Sequence, residues 1–222
     1  MNPVLPANMK KILVTDFDGT LTKWDFYDLV RKKWALTQSD DPWDAYLSGR
    51  ISHFEALAEI FSRIRATEAE LTEIATAMEL VPKLADRISA LQKNGWEVRV
   101  ASAGCEWYIN RLLHLANVSI TVHSNPGVFD PDAGLVMYPP LESPFFSPTT
   151  GIDKLAIVSD ALATADHVAF AGDGRPDLDP ILLVDPRFRF ARGWLADELG
   201  GRGEQFHRFD VWSEIPEVLL QC

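Results

Sequence analysis

The sequence predicts an α/β fold: a Rossmann-like, doubly wound parallel sheet with a small helical cap inserted after the first strand. Three observations carry this. The apolar run Lys11-Ile12-Leu13-Val14 breaks into Thr15-Asp16-Phe17-Asp18-Gly19-Thr20, as a buried parallel strand does at its carboxyl end. Helical periodicity then persists for about sixty residues before another strand pattern appears. Beyond it, strands alternate with helices, the pattern of a parallel sheet covered on both faces.

Each element has a local reason. Phe26, Leu29, Val30 and Trp34 recur at helical spacing over 25–34. Asp41 is placed to cap a short helix from Pro42 to Leu47, with Gly49 as its stop. Ser52 and Glu55 fit a capping box ahead of the stripe Phe54, Leu57, Ile60, Phe61, Ile64. Another helix is predicted over 67–80, carrying Leu71, Ile74 and Met78. Pro82 opens a helix from Leu84 to Lys93 that Asn94-Gly95 ends. Strands are predicted over 96–101 and 118–122, with a helix over 107–115 between them. Six prolines lie between His123 and Thr150; with the turn sequence Asp130-Pro131-Asp132-Ala133-Gly134 they read as a hairpin plus irregular loop. A helix over 153–162, a strand over 167–171, a last strand over 187–191 and a terminal helix over 212–220 complete the chain. The expected division is a core of residues 1–22 and 83–222 and a cap of residues 23–82.

At 222 residues the chain can bury one substantial core plus an insert. A net charge of −11 argues against nucleic-acid partners, which need clustered Lys and Arg. An anionic substrate has to be drawn in by local cations, against the overall field. No apolar run approaches the roughly 20 residues of a membrane span. Residues 1–11 lack the apolar stretch of a secretion signal. Cys105 and Cys222 make no metal-ligand spacing. The expectation is a cytoplasmic monomer or homodimer without a membrane partner.

Four features line up along the chain: Asp16 with Asp18, Ser102, Lys154, and Asp173 with Asp177. The first, second and fourth follow apolar strands, so they can converge on one edge of the sheet. Taken singly, each has a plainer reading. Asp16 and Asp18 can be turn and cap residues, Ser102 a helix cap, Lys154 a solvated lysine, and Asp173 and Asp177 turn formers around Gly174 and Pro176. Together, their order resembles the haloacid dehalogenase superfamily: D-F-D-G-T, a strand-end serine, a helix-borne lysine and G-D-x-x-x-D, over nearly the whole chain.

The resemblance implies Mg²⁺-dependent phosphoryl transfer to water from a small phosphorylated metabolite. Asp16 would be the nucleophile, forming an aspartyl-phosphate that splits one hard step into two. Asp18 would protonate the leaving oxygen and later activate water, which requires a raised pKa. The metal ligands implied are the Asp16 carboxylate, the Asp18 backbone carbonyl and the Asp173 carboxylate, with Asp177 orienting the metal shell. Ser102 and the backbone N–H groups of Ala103 and Gly104, expected at a helix start, would hold phosphoryl oxygens. Lys154 would neutralise the phosphate and Asp16. Thr20, Asp25, Ala103 and Gly104 are the candidate substrate contacts.

Dehalogenases of this superfamily lack an acid/base aspartate two residues on, so Asp18 favours a phosphatase or a phosphomutase. A non-catalytic phosphate-binding protein of the same fold is the alternative of another class. The helical insert is similar to that of the phosphoserine phosphatase-like branch. Within it, D-F-D-G-T-L-T with Asp25, the 52–61 helix and Phe190-Ala191-Arg192-Gly193-Trp194-Leu195 resemble the methionine-salvage phosphatases that act on 2-hydroxy-3-keto-5-methylthiopentenyl 1-phosphate. The chain departs from these patterns at four places. Ser102-Ala103-Gly104 stands for S-G-G, and residues 139–148 replace a cysteine-containing stretch. Phe61 stands where phosphoserine phosphatases have a carboxylate-binding arginine, with Arg63 and Arg65 nearby, and Pro176 precedes Asp177. Trp24, Trp107 and Tyr108 are either pocket lining or core; Arg31-Lys32-Lys33 is either a solvated face or an anion contact. The five histidines show no ligand spacing and are assigned no role.

Overall fold

The first apolar run forms a strand that is buried from Ile12 onward, because parallel strands with helices on both faces have no side facing water. This is β1 (Lys11–Thr15), which pairs in parallel with β2 (Trp96–Cys105) on one side and β8 (His167–Gly172) on the other. The computed structural model describes residues 9–34 and 41–221. Cys222 and most of the amino-terminal stretch lie outside the described residues, and of Trp34 only the backbone is described. The sheet is completed by β3 (Thr121–Asn125), β9 (Arg189–Ala191) and β10 (His207–Arg208), in the order β10-β9-β8-β1-β2-β3. The chain moves outward from β1 to β3, then returns to the other side of β1. The strand order therefore reverses between β1 and β8, where open α/β sheets bind ligands beyond the strand carboxyl ends.

Four helices follow β1: α1 (Phe26–Trp34), α2 (Pro42–Leu47), α3 (His53–Ser62) and α4 (Glu68–Thr76). Their starts are local. Asp41 caps α2, and Ser52/Glu55 and Thr67/Glu70 form capping boxes on α3 and α4. The helix predicted over 67–80 ends four residues early. The chain turns back there, with Glu79 at φ +55, and Leu80 forms an isolated antiparallel bridge with Thr22 of the outgoing segment. Lys23 N–H donates to Met78 O at 3.0 Å, and Val81 N–H to Leu21 O at 3.0 Å. The helical segment thus leaves and rejoins the sheet side by side. α5 (Leu84–Lys93) leads into β2 and α6 (Glu106–Leu115) follows it.

Two strand expectations shift. β3 starts three residues late because Val118 belongs to the end of α6: Asn117 is left-handed at φ +54, and Val118 N–H returns to Leu113 O at 2.9 Å, the geometry of a Schellman-type cap. The strand over 187–191 is not the last, since β10 adds two residues at the edge. Ser102, Ala103 and Gly104 also differ from expectation: they lie within β2, whose register against β3 shifts between Ala101 and Cys105, and α6 begins only at Glu106.

The proline-containing insertion forms the hairpin β4 (Gly127–Asp130) and β5 (Gly134–Met137), then a small ladder of β6 (Phe146–Ser147) and β7 (Gly151–Ile152). β5 packs on α3. A Cβ at Gly134 would sit 2.7 Å from the carbonyl oxygens of Phe61 and Ile64, so only glycine allows this approach. At the other end of α3, Phe54 N–H donates to Thr149 O at 2.9 Å. The carboxyl half adds α7 (Lys154–Thr164), α8 (Leu178–Leu183), α9 (Gly193–Gly201) and α10 (Glu214–Leu219). Among the described residues, no helix is long and apolar enough to cross a membrane.

Candidate active site

Asp16 directly follows β1, and its N–H pairs with Ala171 O at 2.8 Å, extending the ladder with β8 by one residue. Asp173 directly follows β8. The two carboxylates are therefore neighbours because their strands are. Asp177 sits one turn beyond Asp173, where its Oδ2 accepts the N–H groups of Asp173 (3.1 Å) and Gly174 (2.9 Å). Lys154 is the first residue of α7, whose cap is Asp153, accepting from Ala156 N–H at 3.0 Å. That start points a lysine inward: it is 4% exposed, with Nζ 2.8 Å from Asp16 Oδ1 and 2.6 Å from Asp177 Oδ1.

Asp18 faces the end of β2. Its Oδ1 accepts Phe26 N–H (3.1 Å), and its Oδ2 accepts the Tyr108 hydroxyl (2.9 Å), with the Ser102 hydroxyl at 3.4 Å. Ser102 Oγ also accepts Gly104 N–H at 3.0 Å. Thr20 is fully buried, and its hydroxyl donates to Asp173 Oδ1 at 2.8 Å.

A cavity of about 370 Å³ opens over these groups. Asp16, Asp18, Asp25, Ser102, Ala103, Gly104, Lys154 and Asp173 line it; Thr20 and Asp177 stand behind Asp173 rather than on its surface. The opposite wall comes from the helical segment: Tyr27, Asp28 and Arg31 of α1, Trp43 and Tyr46 of α2, and His53, Leu57 and Phe61 of α3. Arg175 and Trp194 close one side, the guanidinium 4.7 Å over the indole. Sequence reasoning assigned no role to His53. The 4-residue spacing of His53, Leu57 and Phe61 was the available signal, since it puts them on one helix face. Tyr108 belongs to the site, whereas Trp24 is 40% exposed and bonds Glu79, and Trp107 packs on Phe129 and Arg111. Arg31 reaches the cavity paired to the buried Asp41.

The electrostatics follow from crowding acids around one lysine. Burial, then repulsion from Asp177, holds the Asp16 pKa well above the usual carboxylate value, although Lys154 opposes this. Burial, then Asp25 and Asp177, does the same to Asp173. Asp25 is raised by burial and by Asp18 and Asp16. Asp18 is raised by burial, against the hydrogen bonds from Phe26 and Tyr108. Burial alone would lower the Lys154 pKa, yet Asp16 and Asp177 together drive it above its ordinary value. Excess negative charge thus remains, and one carboxylate oxygen from each of Asp16, Asp173 and Asp177 lies within 4.8 Å of the others. Among the described residues, Oδ2 of Asp16 and of Asp173 accept no hydrogen bond. This set of hard oxygens suits a divalent cation that keeps waters and takes few carboxylates.

Residues 13–179 match the haloacid dehalogenase-like hydrolase family. Among related proteins, the 2-hydroxy-3-keto-5-methylthiopentenyl-1-phosphate phosphatase of Brevibacillus brevis is 22% identical over 215 residues, 96% of each chain. The enzyme of that name from Bacillus velezensis is 23% identical, over 92% of this chain and 87% of its own. A phosphoserine phosphatase solved as an analogue of its phospho-aspartyl intermediate superposes with a TM-score of 0.64 at 16% identity, covering 94% of this chain and 98% of that one. Since the family match runs from β1 past Asp177, and so takes in every acidic residue placed above, the chain belongs to the haloacid dehalogenase-like hydrolases.

Proposed function

We propose that this hydrolase cleaves phosphomonoesters of small metabolites through an aspartyl-phosphate on Asp16, with Mg²⁺ as cofactor and residues 23–82 as a cap. The observation that carries the reading is the pairing of Asp16 with Asp18 across one cavity. Asp16 Oδ1 is fixed by Lys154 (2.8 Å) and by Phe17 N–H (2.7 Å), while Asp18 stands two residues on with its own hydrogen-bond partners. Lys154 and Arg31 on the cavity are already paired with carboxylates, so Arg175, stacked on Trp194, and a cation on the acidic cluster would provide the local attraction for phosphate that the overall charge of −11 opposes.

In the first half-reaction the Asp16 carboxylate attacks phosphorus, the bond to the leaving oxygen breaks, and Asp18 gives that oxygen its proton. Burial favours the protonated form of Asp18 that this step needs. In the second half, Asp18 takes a proton from water as the water attacks the aspartyl-phosphate, restoring Asp16 and releasing phosphate. Ser102, whose Oγ is itself held by Gly104 N–H, donates to a phosphoryl oxygen, and Lys154 holds Asp16 in place. Asp16, Asp173 and the Asp18 carbonyl would hold the Mg²⁺, with Asp177 and Thr20 orienting Asp173; the ion supplies neutralisation of phosphate charge when bound.

The test is phosphate release from a panel of phosphorylated metabolites, with Mg²⁺ and with EDTA, for wild type and Asp16→Asn. Release that requires the metal and is lost in Asp16→Asn is the expected result. Turnover surviving both treatments would refute the mechanism.

A further inference from the structure

Tyr108 lines the cavity from the first turn of α6, and its side chain is 1% exposed. Its ring is enclosed on three sides. It stacks on Phe26 with centroids 4.3 Å apart, meets Phe61 edge-on at 6.4 Å and lies tilted against Phe17 at 6.4 Å. A ring packed in this way keeps one position, so the hydroxyl oxygen at its tip is a fixed point.

The backbone makes room for that point. A Cβ at Gly104 would lie 2.0 Å from Tyr108 Oη and 2.7 Å from Asp18 Oδ2, so the glycine opens the space in which hydroxyl and carboxyl meet. There the Tyr108 O–H donates to Asp18 Oδ2 at 2.9 Å, closer than the Ser102 hydroxyl at 3.4 Å. Asp18 Oδ1 accepts Phe26 N–H at 3.1 Å. The last torsion of an aspartate is otherwise broad. With one donor on each oxygen, the carboxyl group cannot turn without breaking a hydrogen bond. Both donors belong to the stacked pair Phe26 and Tyr108, which fixes them relative to each other.

We infer that Tyr108 is a positioning residue for proton transfer: its hydroxyl holds the Asp18 carboxyl in the orientation that delivers a proton to the leaving oxygen. This rests on the phosphatase reading above and adds a residue to it. As an Asp16 oxygen bonds to phosphorus, the bond to the leaving oxygen breaks. Its electron pair stays on that oxygen, which takes the Asp18 proton, while Tyr108 keeps its own. A misoriented acid slows the reaction only as far as the leaving group needs the proton. A stable phenolate needs it little, and an alkoxide needs it most.

The test compares kcat/KM of wild type and Tyr108→Phe for 4-nitrophenyl, phenyl and benzyl phosphate in Mg²⁺. The esters share an aromatic ring and differ chiefly in the basicity of the leaving oxygen, which rises in that order. Phenylalanine keeps the ring and its packing and removes only the hydroxyl. The loss on benzyl phosphate is expected to exceed that on 4-nitrophenyl phosphate by about tenfold, with phenyl phosphate between them. A role in packing alone would lower all three by one factor. Equal losses on the three esters, complete loss included, no loss on any, or the largest loss on 4-nitrophenyl phosphate overturns the inference alone. So does a wild type that cleaves 4-nitrophenyl phosphate and neither of the others, because it delivers no proton. A wild type inactive on all three and on the metabolite panel overturns the phosphatase reading and this one with it.

Discussion

Replacing Lys154 by methionine isolates the charge that holds the site together. The ammonium sits 2.8 Å from Asp16 and 2.6 Å from Asp177, and the side chain is 4% exposed. Methionine keeps most of the aliphatic packing, so the change leaves two buried carboxylates without a counter-charge rather than a hole. Removing one partner of a buried pair costs about 3–5 kcal/mol. In a chain of this size that corresponds to roughly 10 °C or more in Tm. The raised Lys154 pKa means its contribution is complete below the unfolded-state value of a lysine and is lost only as pH rises through the higher folded one. Thermal unfolding at neutral pH therefore reads it in full. EDTA must be present, since a cation on the same carboxylates would mask the loss. Adding Asp177→Asn removes one of the two uncompensated charges, and its amide oxygen can still accept the N–H groups of Asp173 and Gly174. The double variant should be more stable than the sum of the singles, by about 1–3 kcal/mol. A Lys154→Met protein that melts with wild type, or strict additivity in the double variant, would refute the reasoning.

Other perturbations follow from the same geometry. A Cβ at position 104 would lie 2.0 Å from Tyr108 Oη and 2.7 Å from Asp18 Oδ2, so Gly104→Ala should cut kcat about 10–100-fold in phosphate-release assays. Gly200→Ala, in helix α9 with nothing within 4 Å, should instead raise stability by about 0.5–1 kcal/mol in urea unfolding. His53, neutral in the fold with a pKa of about 4, is harder to protonate than in the unfolded chain. Stability should fall as pH drops from about 7 towards 4, by about 3 kcal/mol, and then level. The carboxylates titrate too, so the quantity to measure is the difference between wild type and His53→Gln, which should lose this component.

The convergence of Asp16, Lys154 and Asp173 was legible in the sequence because each member is announced locally. Asp16 and Asp173 follow apolar strands, and Lys154 follows a capping aspartate; strand adjacency does the rest. The opposite wall of the cavity was not. His53, Leu57 and Phe61 belong to the same stripe of α3 that buries Ile60, and periodicity tells which face turns inward, not whether it meets packed side chains or an open cavity. Tyr108 was ambiguous for the same reason, since its ring is core, stacked at 4.3 Å on Phe26, while its hydroxyl reaches Asp18. β10 was missed because two exposed residues carry no alternation to detect.

The insertion between β3 and α7 has a definite consequence for recognition. α3 supplies His53, Leu57 and Phe61 to the cavity, and its two ends are held by separate parts of that insertion: Thr149 O at Phe54 N–H, and Gly134 against the carbonyls of Phe61 and Ile64. A rigid helix fixed at both ends cannot rotate to present another face. The position of the wall is therefore set by residues that do not touch the cavity. A side chain at Gly134 would have to displace the carboxyl end of α3, and with it Phe61, while Asp16, Asp18 and Lys154 stayed on the sheet. The geometry thus holds the α3 wall and the acidic cluster by separate contacts: Gly134 and Thr149 set the wall that carries Phe61, while Asp16, Asp18 and Lys154 are placed by the sheet and by α7.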